Sequence, residues 1–515
     1  MCGIASIFST SGVHEPTLAQ MLKEIVHRGD TLPALKMWDS AGIGMVRLKI
    51  VDREDGGQPM FNEDHTVAVV FNGEIYNYRE LQQILMARGH QFKTDCDTEV
   101  LVHLYEEYGK NMLKYLDGMF AFIIYDSKNN TFFSARDRYG IKPLYYCIKD
   151  TVIYFSSEMR AFKHLDVTAY QELPPAHYFS PGGLKPYLTY HTKPLIAADF
   201  TTAKKMVRQL TEAAVRKRTV TDLPVGVFLS GGLDSSIVYL LTLKYHKNVT
   251  AIIIGEDHAE DVDYAIRLCE KHGGRYVHIK STQKELLESI PLIVNCVETF
   301  EVNVVRGSAL SYRLAACAAE LGLKIVLCGE GSDEVFGGYG DFLTVDDQAG
   351  FDQQTLKFLC SLYRTQLQRI DRTGMAFGVE VREPFMDNLL VDYAIRLPRK
   401  YKINWIEGHK MTTKYILREA FRDLLPNEIY SRHKMTLMEG AGAGPVNKDE
   451  GMFYDFTCSR ISDEQYNDIK KKYPEYQIQS KEEAYYFKIF MANYSKAKFA
   501  ATRTYNATIE IIAQE

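Results

Sequence analysis

Hydrophobic and polar positions are arranged differently in the two halves of the chain. Between residues 67 and 155, short apolar runs rich in β-branched and aromatic residues recur (VAVVF, MFAFIIYD, TFFSARD, LYYCI, VIYFSSE), separated by turn signals such as Asn72-Gly73. Helical periodicity interrupts them over residues 17–26 and 77–88. The first half therefore predicts antiparallel sheets in layers, covered by helices.

In the second half of the chain, predicted strands alternate with predicted helices. A stretch rich in Pro, Tyr and Gly after residue 173 loses periodicity, and the helical segment TTAKKMVRQLTEAAVRKR follows it. Beyond it, the strands PVGVFLS, VTAIIIG, RYVHI and KIVLC alternate with helices predicted over 235–247, up to Gly273, and over 309–321. This alternation predicts a doubly wound parallel sheet. We predict two domains, at 2–190 and 200–515.

The bulk composition narrows the possible functions. A chain of 515 residues, 46% of them hydrophobic, can bury more than one core. A net charge of -5 lacks the basic excess that nucleic acid binding needs. The start MCGIASIF lacks the features of a signal peptide, and no apolar run is long enough to span a bilayer. We expect a cytoplasmic protein with no nucleic acid or membrane partner, and the scattered cysteines, without CxxC spacing, indicate reduced thiols.

Cys2 stands apart from the other cysteines. After removal of Met1 it would carry both a thiol and a free α-amine, so one residue could be nucleophile and base. A cysteine at position two can also be incidental. Its neighbours in sequence do not decide between these interpretations.

Other residues supply what amide hydrolysis would need. Asn72 and Gly73 offer a side-chain amide and a backbone N–H to an oxyanion, although an Asn-Gly pair is also an ordinary hairpin turn. If the amide is that of glutamine, its α-carboxylate and α-amine call for opposite charges. Arg47, Glu74 and Asp97 are candidates, and each could equally be a surface charge.

Two loops in the second half predict phosphate chemistry. SGGLDSS (230–236) follows a buried strand and opens a helix, so glycines, serine hydroxyls and helix N–H groups can meet phosphate oxygens, and Asp234 can hold a cation. A lone SGG would be an ordinary turn, whereas the full string favours nucleotide binding. GEGSDE (329–334) places three carboxylates in five residues, which indicates a cation or basic ligand unless the loop is simply solvated. Both loops follow strands, at the edge where ligands collect.

Taken together, these motifs resemble a known family. MCGIAS, HRG (27–29), RLKIVD (47–52), FNGEIYN (71–77), DTE (97–99) and RDRYGIKPLYY look like the glutaminase domain of class II amidotransferases. SGGLDSS with GEGSDE is similar to the ATP-pyrophosphatase domain of asparagine synthetases, and GMAFGVEVREPFMD and KEEAYYFKIF extend the resemblance over nearly the whole chain. It implies an Ntn-type four-layer α/β/β/α sandwich, then an adenine nucleotide alpha-hydrolase-like domain, with ATP and Mg²⁺ as cofactors, and it suggests a homodimer.

The resemblance also implies a role for each matched residue. Cys2 would be the nucleophile, Asn72 and Gly73 the oxyanion hole, and glutamine would be held by Arg47, Leu48, Lys49, Ile50, Val51, Asn72, Gly73, Glu74 and Asp97. ATP would contact Leu229, Ser230, Gly231, Gly232, Asp234, Ser235, Ile254, Cys328 and Gly329. Asp234 and Asp333 would bind magnesium, Glu330 and Lys434 would serve formation of the acyl-adenylate, and Arg306 would bind the acceptor carboxylate.

Several positions depart from the family pattern. HRGPD appears as HRGDT, which loses a proline but no reacting group. Asn303, Val304 and Cys328 replace two threonines and a serine, and the residues after Lys434 differ at Met435, Leu437, Met438 and Glu439. We expect transfer of glutamine-derived ammonia to an adenylated carboxylate, with aspartate as acceptor. The alternatives are another carboxylate, such as a sugar uronate or specialised metabolite, or a degenerate paralogue keeping only glutaminase or nucleotide binding.

Overall fold

A computed structural model describes residues 2–406, 410–432, 435, 437–441, 450–501 and 504. The described residues divide into two compact units: 2–189 with 375–378 and 488–501, and 190–374 with those between 379 and 487 and residue 504. Within the described ranges, no helix combines the length and apolarity that crossing a membrane requires. The nine cysteines are free thiols.

The first unit is built from antiparallel strands and a few helices. Its strands are β1 (Gly3–Ser9), β2 (Ala34–Met37), β3 (Ala41–Val46), β4 (Met60–Phe61), β5 (Val67–Ile75), β6 (Gly118–Asp126), β7 (Thr131–Arg136), β8 (Tyr145–Lys149), β9 (Val152–Ser156), β10 (Gln171–Glu172), β11 (His177–Ser180) and β12 (Gly183–Pro186). Its α-helices are α1 (Glu15–Glu24), α2 (Tyr78–Met86) and α3 (Glu99–Tyr108). The strands form two six-stranded sheets, ordered β10-β8-β9-β1-β3-β2 and β12-β11-β7-β6-β5-β4.

Aromatic packing joins the two sheets face to face. Phe8 of β1 stacks on Phe132 of β7 with ring centroids 4.4 Å apart, and Phe155 of β9 meets Phe179 of β11 at 5.6 Å. The outer face of the second sheet buries a separate apolar core under α2 and α3, while α1 packs on β1 and β3. The predicted four-layer α/β/β/α sandwich is confirmed.

One local prediction in this unit is wrong. Asn72-Gly73 is not a turn, because both residues lie inside β5, which pairs with β6 along its whole length. In the stretch after residue 173, where the sequence loses periodicity, β11 and β12 form an antiparallel hairpin with His177 opposite Pro186. These strands have only four residues each, too few for a periodic pattern to stand out from the Pro and Gly around them.

The second unit is an α/β fold. Its strands are β13 (Val225–Phe228), β14 (Val249–Ile254), β15 (Arg275–Ile279), β16 (Ile325–Leu327) and β17 (Glu380–Arg382), with the hairpin β18 (Asn404–Ile406) and β19 (Lys410–Thr412). The helices that follow residue 190 are α4 (Phe200–Arg218), α5 (Leu233–Tyr245), α6 (Glu260–Lys271), α7 (Gln283–Glu288), α8 (Ile290–Val297), α9 (Val302–Glu320), α10 (Ser332–Phe336), α11 (Gln348–Ser361), α12 (Gln366–Met375), α13 (Asn388–Ala394), α14 (Arg399–Lys402), α15 (Tyr415–Ala420), α16 (Asn427–Ser431), α17 (Leu437–Gly440), α18 (Met452–Cys458), α19 (Asp463–Lys472) and α20 (Lys481–Tyr494).

The main sheet of this unit runs β15-β14-β13-β16-β17, with every neighbouring pair parallel. The predicted doubly wound parallel sheet is confirmed. In sequence order the strands stand 3-2-1-4-5, so the winding reverses between β13 and β16. Ligands bind at such a switch point, outside the carboxyl ends of the strands. The loops SGGLDSS and GEGSDE follow β13 and β16, the two strands on either side of it.

The sequence pattern does not predict β17, the edge strand of this sheet. Its residues are Glu380, Val381 and Arg382, and all three are buried. Arg382 Nε donates to Glu380 Oε1 at 2.6 Å, and Arg382 Nη1 donates to the carbonyl oxygen of Arg218 at 2.8 Å. Because the charges are neutralised inside the fold, a strand that is polar in sequence can be fully buried.

Candidate active sites

In the first unit, Cys2 lies directly before β1 and forms a hydrogen bond with the side chain of Asn72. The main-chain N–H of Cys2 donates to Asn72 Oδ1 at 2.9 Å. Along β5, Ala68 and Val70 face the other sheet, and the period-two alternation places Asn72 on that same face. Two residues 70 positions apart in sequence are thereby brought together.

The side-chain nitrogen of Asn72, Nδ2, is a buried hydrogen-bond donor. Because Oδ1 accepts from Cys2, Nδ2 points away from that bond, and it is buried with no hydrogen-bond partner among the described residues. Leaving a buried donor unsatisfied costs about 1–3 kcal/mol, so such a group persists where a ligand satisfies it. Next to a thiol, it suits an oxyanion that develops during amide hydrolysis.

Gly73 cannot be replaced without rearranging the sheet. Its φ is +150°, and a Cβ added to it would lie 2.0 Å from the carbonyl oxygen of Met119 on β6. The glycine therefore lets β5 approach β6 in a conformation that L side chains avoid. This is the physical reason for an Asn-Gly pair inside a strand.

Arg28 holds Cys2 from the other side, a role that the sequence did not suggest. Its fully buried side chain donates from Nε to the carbonyl oxygen of Cys2 at 3.1 Å and from Nη1 to Glu158 Oε1 at 2.7 Å. Glu158 also lies 3.1 Å from His27 and 2.8 Å from Arg160. The motif HRG, noted above only for its resemblance, therefore meets Glu158, which follows β9, in one network of charged side chains behind the cysteine.

The residues expected to hold glutamine are partly engaged with the backbone. Arg47 Nη2 donates to the carbonyl oxygens of Val51 at 2.9 Å and Asp52 at 2.6 Å, which shapes the loop that contains residues 48–51. Asp97 Oδ2 accepts from the N–H of Ile75 at 2.9 Å, at the end of β5. Arg47, Glu74 and Asp97 are all buried. The alternative that each of them is only a charge on the protein surface is therefore excluded.

The departure at residue 30 adds a hydrogen bond. The N–H of Asp30 donates to the carbonyl oxygen of Arg47 at 2.8 Å, and Asp30 Oδ1 accepts from the N–H of Lys49 at 3.1 Å. A proline at residue 30 has no N–H to donate. The loop that carries the predicted glutamine contacts is therefore tied down by Asp30 itself.

In the second unit, a cavity of about 340 Å³ lies at the switch point of the sheet. This volume is within the range of small-molecule sites. Most residues expected to contact ATP line it: Leu229, Ser230, Gly232, Asp234, Ser235, Ile254, Cys328 and Gly329. Gly231 instead faces α6, with a φ of +72° and a position where a Cβ would lie 2.2 Å from the carbonyl oxygen of Asp261.

The SGGLDSS loop is closed by its own serines. Ser230 Oγ and Ser235 Oγ lie 3.0 Å apart, and Ser235 Oγ accepts from the N–H of Ser230 at 3.2 Å. The helix α5 begins at Leu233. Its first N–H groups have no partners within the helix and are suited to phosphate oxygens.

Asp234 and Asp333, the expected magnesium ligands, converge on one lysine. Lys414 Nζ lies 2.5 Å from Asp234 Oδ2 and 2.7 Å from Asp333 Oδ1, and the hydroxyl of Ser332 donates to Asp234 Oδ1 at 2.8 Å. Carboxylate oxygens that meet at one point are the donors Mg²⁺ prefers, so these residues fit the ion. Nothing in the sequence pattern indicated Lys414, which is 81 residues from Asp333 and belongs to none of the motifs described above.

The three acidic residues of GEGSDE are accommodated in three different ways. Glu330 Oε1 accepts from Arg369 Nη2 at 2.6 Å, and Asp333 contacts Lys414. Glu334 Oε1 accepts from the hydroxyl of Tyr339 at 2.6 Å. Burial, reinforced by the charge of Asp333, raises the pKa of Glu334 to about 7. The repulsion that the sequence implies is therefore relieved inside the site, and the loop is not simply solvated.

Arg306, the expected acceptor ligand, lines the cavity but is already paired. Its Nε and Nη2 donate to the two carboxylate oxygens of Glu482 at 2.8 and 2.6 Å, and both side chains are buried. Glu482 belongs to the segment KEEAYYFKIF, which had no assigned role. The pair holds the guanidinium in one orientation at the cavity wall.

Most departures from the family pattern cluster at this cavity. Asn303, Cys328, Met435 and Met438 line it, whereas Val304 is buried within α9. Burial raises the pKa of the Cys328 thiol, so this cysteine is a small neutral group there. Lys434 lies outside the described residues.

The first half of the chain matches a known domain. Residues 1–217 match the family model of the glutamine amidotransferase domain. Residues 206–348 and 343–476 match the asparagine synthase model, which therefore spans more than half of the chain.

Individual relatives align over almost the entire chain. A probable asparagine synthetase [glutamine-hydrolyzing] from Dictyostelium discoideum is 33% identical over 529 residues, covering 96% of this chain and 94% of its own. Asparagine synthetase [glutamine-hydrolyzing] 3 from Arabidopsis thaliana is 32% identical over 522 residues, covering 98% and 89%. Among solved structures, a glutamine phosphoribosylpyrophosphate amidotransferase from B. subtilis, with ADP and GMP, is 19% identical over 54% of this chain and 65% of that one, at a TM-score of 0.32 that is too low to inform function. The chain belongs to the glutamine-hydrolyzing asparagine synthetase family.

Proposed function

We propose that this protein makes L-asparagine from L-aspartate, glutamine and ATP, releasing glutamate, AMP and pyrophosphate. The observation that carries this proposal is the meeting of SGGLDSS and GEGSDE at one cavity, where Ser332 donates to Asp234 and Lys414 contacts both aspartates. The two loops come from different strands, and a nucleotide site at the switch point accounts for both. The choice of aspartate as the acceptor rests on the relatives, which are named asparagine synthetases.

The first reaction is assigned to the first unit. Cys2 Sγ attacks the side-chain carbonyl carbon of glutamine, after its proton passes to the α-amine freed by removal of Met1. Asn72 Nδ2 and the N–H of Gly73 donate to the oxyanion of the tetrahedral intermediate. The C–N bond breaks, the proton leaves with ammonia, and water hydrolyses the resulting thioester to glutamate. Arg28 acts as a positioning residue for Cys2.

The second reaction is assigned to the cavity of the second unit. An oxygen of the aspartate side-chain carboxylate attacks the α-phosphorus of ATP, and the bond to pyrophosphate breaks. Held by Asp234 and Asp333, Mg²⁺ would neutralise phosphate charge. Lys414 and Arg432, both of which line the cavity, add positive charge for pyrophosphate. Ammonia then attacks the acyl carbon, AMP leaves, and asparagine forms.

We assign the glutaminase activity to residues 2–190 and the synthetase activity to 200–515. The individual roles of the matched residues remain part of this proposal, including adenylate formation for Glu330 and Lys434 and acceptor binding for Arg306. The position of Arg306 in the cavity wall, with its guanidinium oriented by Glu482, supports the last of these.

The decisive experiment measures products from the purified full chain with glutamine, ATP, Mg²⁺ and a candidate acid. With aspartate, we expect pyrophosphate, AMP and asparagine in equal amounts. Pyrophosphate release with another carboxylic acid but not with aspartate would overturn aspartate as acceptor. If no acid led to pyrophosphate release while glutamine hydrolysis remained intact, the synthetase assignment would be overturned altogether.

A further inference from the structure

Four potential metal ligands converge on the outer side of the first unit. They are Glu63, in the turn between β4 and β5, His90, after α2, and His103 and Glu106, on α3. One ligand atom from each lies within 4.8 Å of all the others. His103 and Glu106 are three positions apart on the helix, so both project from the same face of α3.

The spacing of these atoms fits a metal better than it fits hydrogen bonds. His103 Nδ1 lies 3.4 Å from Glu63 Oε2 and 3.5 Å from Glu106 Oε2, while His90 Nδ1 lies 3.5 Å from Glu63 Oε1 and 3.8 Å from Glu106 Oε2. Donors placed about 2.0–2.1 Å from a tetrahedral ion are roughly 3.3–3.4 Å from one another. With Oε2 as the donor of each glutamate, the two separations from His103 Nδ1, 3.4 and 3.5 Å, are close to that value, and the 3.8 Å from His90 Nδ1 to Glu106 is wider. All three are long for a nitrogen–oxygen hydrogen bond.

His103 is an independent sign of a ligand. Its side chain is fully buried, and neither ring nitrogen makes a hydrogen bond of acceptable geometry among the described residues. A buried imidazole normally has a partner on at least one nitrogen. Phe92 covers one side of the ring, with centroids 4.4 Å apart, so Nδ1 is directed into the cluster from an apolar wall.

The surroundings also resemble those of ligands in metal sites. The remaining nitrogen of each imidazole faces a carboxylate: His90 Nε2 lies 3.2 Å from Glu107 Oε1, and His103 Nε2 lies 3.7 Å from Glu99 Oε1. Histidine ligands commonly face a carboxylate in this way, which fixes the ring orientation.

The two ligand carboxylates are held as well. The N–H of Gln91 donates to Glu63 Oε1 at 2.8 Å. Asn62 Nδ2 donates to Glu106 Oε1 at 2.8 Å. Glu63 and Glu106 are also partly exposed, with side-chain accessibilities of 33% and 30%, which leaves a path for an ion to enter.

We propose that Glu63, His90, His103 and Glu106 bind a divalent transition metal, with Zn²⁺ as the best-suited ion. Zinc accepts both imidazole nitrogen and carboxylate oxygen, whereas the hard cations Ca²⁺ and Mg²⁺ favour oxygen alone, so the two imidazoles favour zinc. Four protein ligands leave no open position, so the site is structural. It links the β4–β5 turn and the end of α2 to α3.

The test is metal binding by the full chain, and it does not depend on catalytic activity. The protein is stripped with a chelator, and Zn²⁺ binding is measured by calorimetry and by elemental analysis after dialysis. We expect about one Zn²⁺ per chain at this site, and a rise in the thermal midpoint on adding Zn²⁺, because an ion that binds only the folded state stabilises it. Visible absorption of the Co²⁺-loaded protein should lack thiolate charge-transfer bands.

His90→Gln is the first variant, because His90 lies at the partly open edge of the cluster and its replacement should leave the fold intact. We expect it to weaken Zn²⁺ binding by at least about tenfold and to abolish the thermal shift. Glu106→Gln should act in the same direction. His258→Gln is the control, since His258 is 92% exposed and lies in the second unit.

Two results would overturn the proposal. One is the absence of Zn²⁺ binding and thermal shift in the parent protein, which would make the cluster a network of charged side chains only. The other is equal Zn²⁺ binding by the parent and His90→Gln, or thiolate bands in the Co²⁺ spectrum, since either would place the metal elsewhere in the chain.

Discussion

The main-chain nitrogen of Cys2 and the side-chain oxygen of Asn72 lie 2.9 Å apart, and this contact sets the direction of the whole Asn72 amide. With Oδ1 occupied, Nδ2 is left as a buried donor without a partner among the described residues. The same asparagine therefore positions the proposed nucleophile and supplies a donor for the intermediate that the nucleophile would form.

Asn72→Asp isolates the donor, because aspartate keeps an oxygen for the Cys2 N–H but has no Nδ2. We expect glutamine hydrolysis to fall by about 10²–10³-fold, the usual loss for one oxyanion donor. Asn72→Ala should show a similar loss. Glutamate release is the measurement, with ammonium-dependent asparagine synthesis as the internal control; a loss below threefold in both variants would remove Asn72 from the oxyanion hole.

Cys2→Ala should abolish asparagine synthesis from glutamine and spare synthesis from added ammonium. The reason is that the two reactions are assigned to different units, and only the first uses the thiol. Asparagine is quantified with each nitrogen source at saturating ATP and aspartate. If the ammonium-dependent reaction disappeared too in a variant with an unchanged thermal midpoint, the separation of roles would be wrong.

Lys414→Met tests the synthetase reaction, which we assign to the second unit. Removing the ammonium group leaves Asp234 and Asp333 facing each other without their shared cation. We expect ammonium-dependent synthesis to fall by at least about 10²-fold, since charged groups aimed at a transferring phosphoryl group are worth several kcal/mol. Glutamine hydrolysis should persist. Lys244→Met, which removes an exposed lysine paired with Glu212, is a control that should leave both reactions unchanged.

The buried pair Arg306–Glu482 should affect both stability and the proposed binding of the acceptor. Glu482→Gln removes the charge opposite Arg306, and breaking such a pair costs about 3–5 kcal/mol. We expect a lower free energy of unfolding in urea and a raised KM for aspartate, with glutamine hydrolysis unaffected. The double variant Arg306→Met with Glu482→Leu should recover most of the stability but not the synthesis. Recovery of synthesis in the double variant would exclude Arg306 as an acceptor ligand.

Lys402 should make the stability depend on pH. Burial lowers its pKa to about 7, against an opposing effect of Asp352, and Nζ makes no hydrogen bond among the described residues. The unfolded pKa is near 10.4, so between about pH 7 and pH 10 only the unfolded chain binds this proton, and stability rises with pH.

Lys402→Met removes that proton-binding group. Below pH 7 the variant should be more stable than the parent by about 3–5 kcal/mol, and the difference should shrink to near zero as pH approaches 10. Urea unfolding at several pH values across this window measures it. A difference that stayed constant with pH would show that Lys402 is not neutral in the folded protein.

Local sequence patterns predicted many of the strands, the parallel sheet and the two loops of the candidate nucleotide site. Strands such as β5 and β6 contain apolar runs rich in β-branched and aromatic residues, which are recognisable as strands in the sequence. The alternation of strands and helices in the second half predicts the parallel sheet. SGGLDSS and GEGSDE are contiguous, so their chemistry can be recognised before any fold is known.

Other features had no local signature. Asn72-Gly73 has the composition of a turn, and only the pairing of Gly73 with Phe120 on β6 shows that the strand continues. β17 is short and charged, and its burial depends on partners distant in sequence.

The sequence by itself therefore determined the two fold classes and the family, and it marked the groups to which we assign the chemistry, because each is encoded in neighbouring residues. Only the tertiary structure decided that Arg28 anchors Cys2, that Lys414 joins Asp234 to Asp333, and that Glu482 orients Arg306. The physical reason is common to all three. Each depends on a buried charge whose opposite charge lies 130 to 180 residues away in sequence: Glu158 for Arg28, Asp234 for Lys414 and Glu482 for Arg306. No property of a single residue or its neighbours specifies which opposite charge the folded chain brings to it.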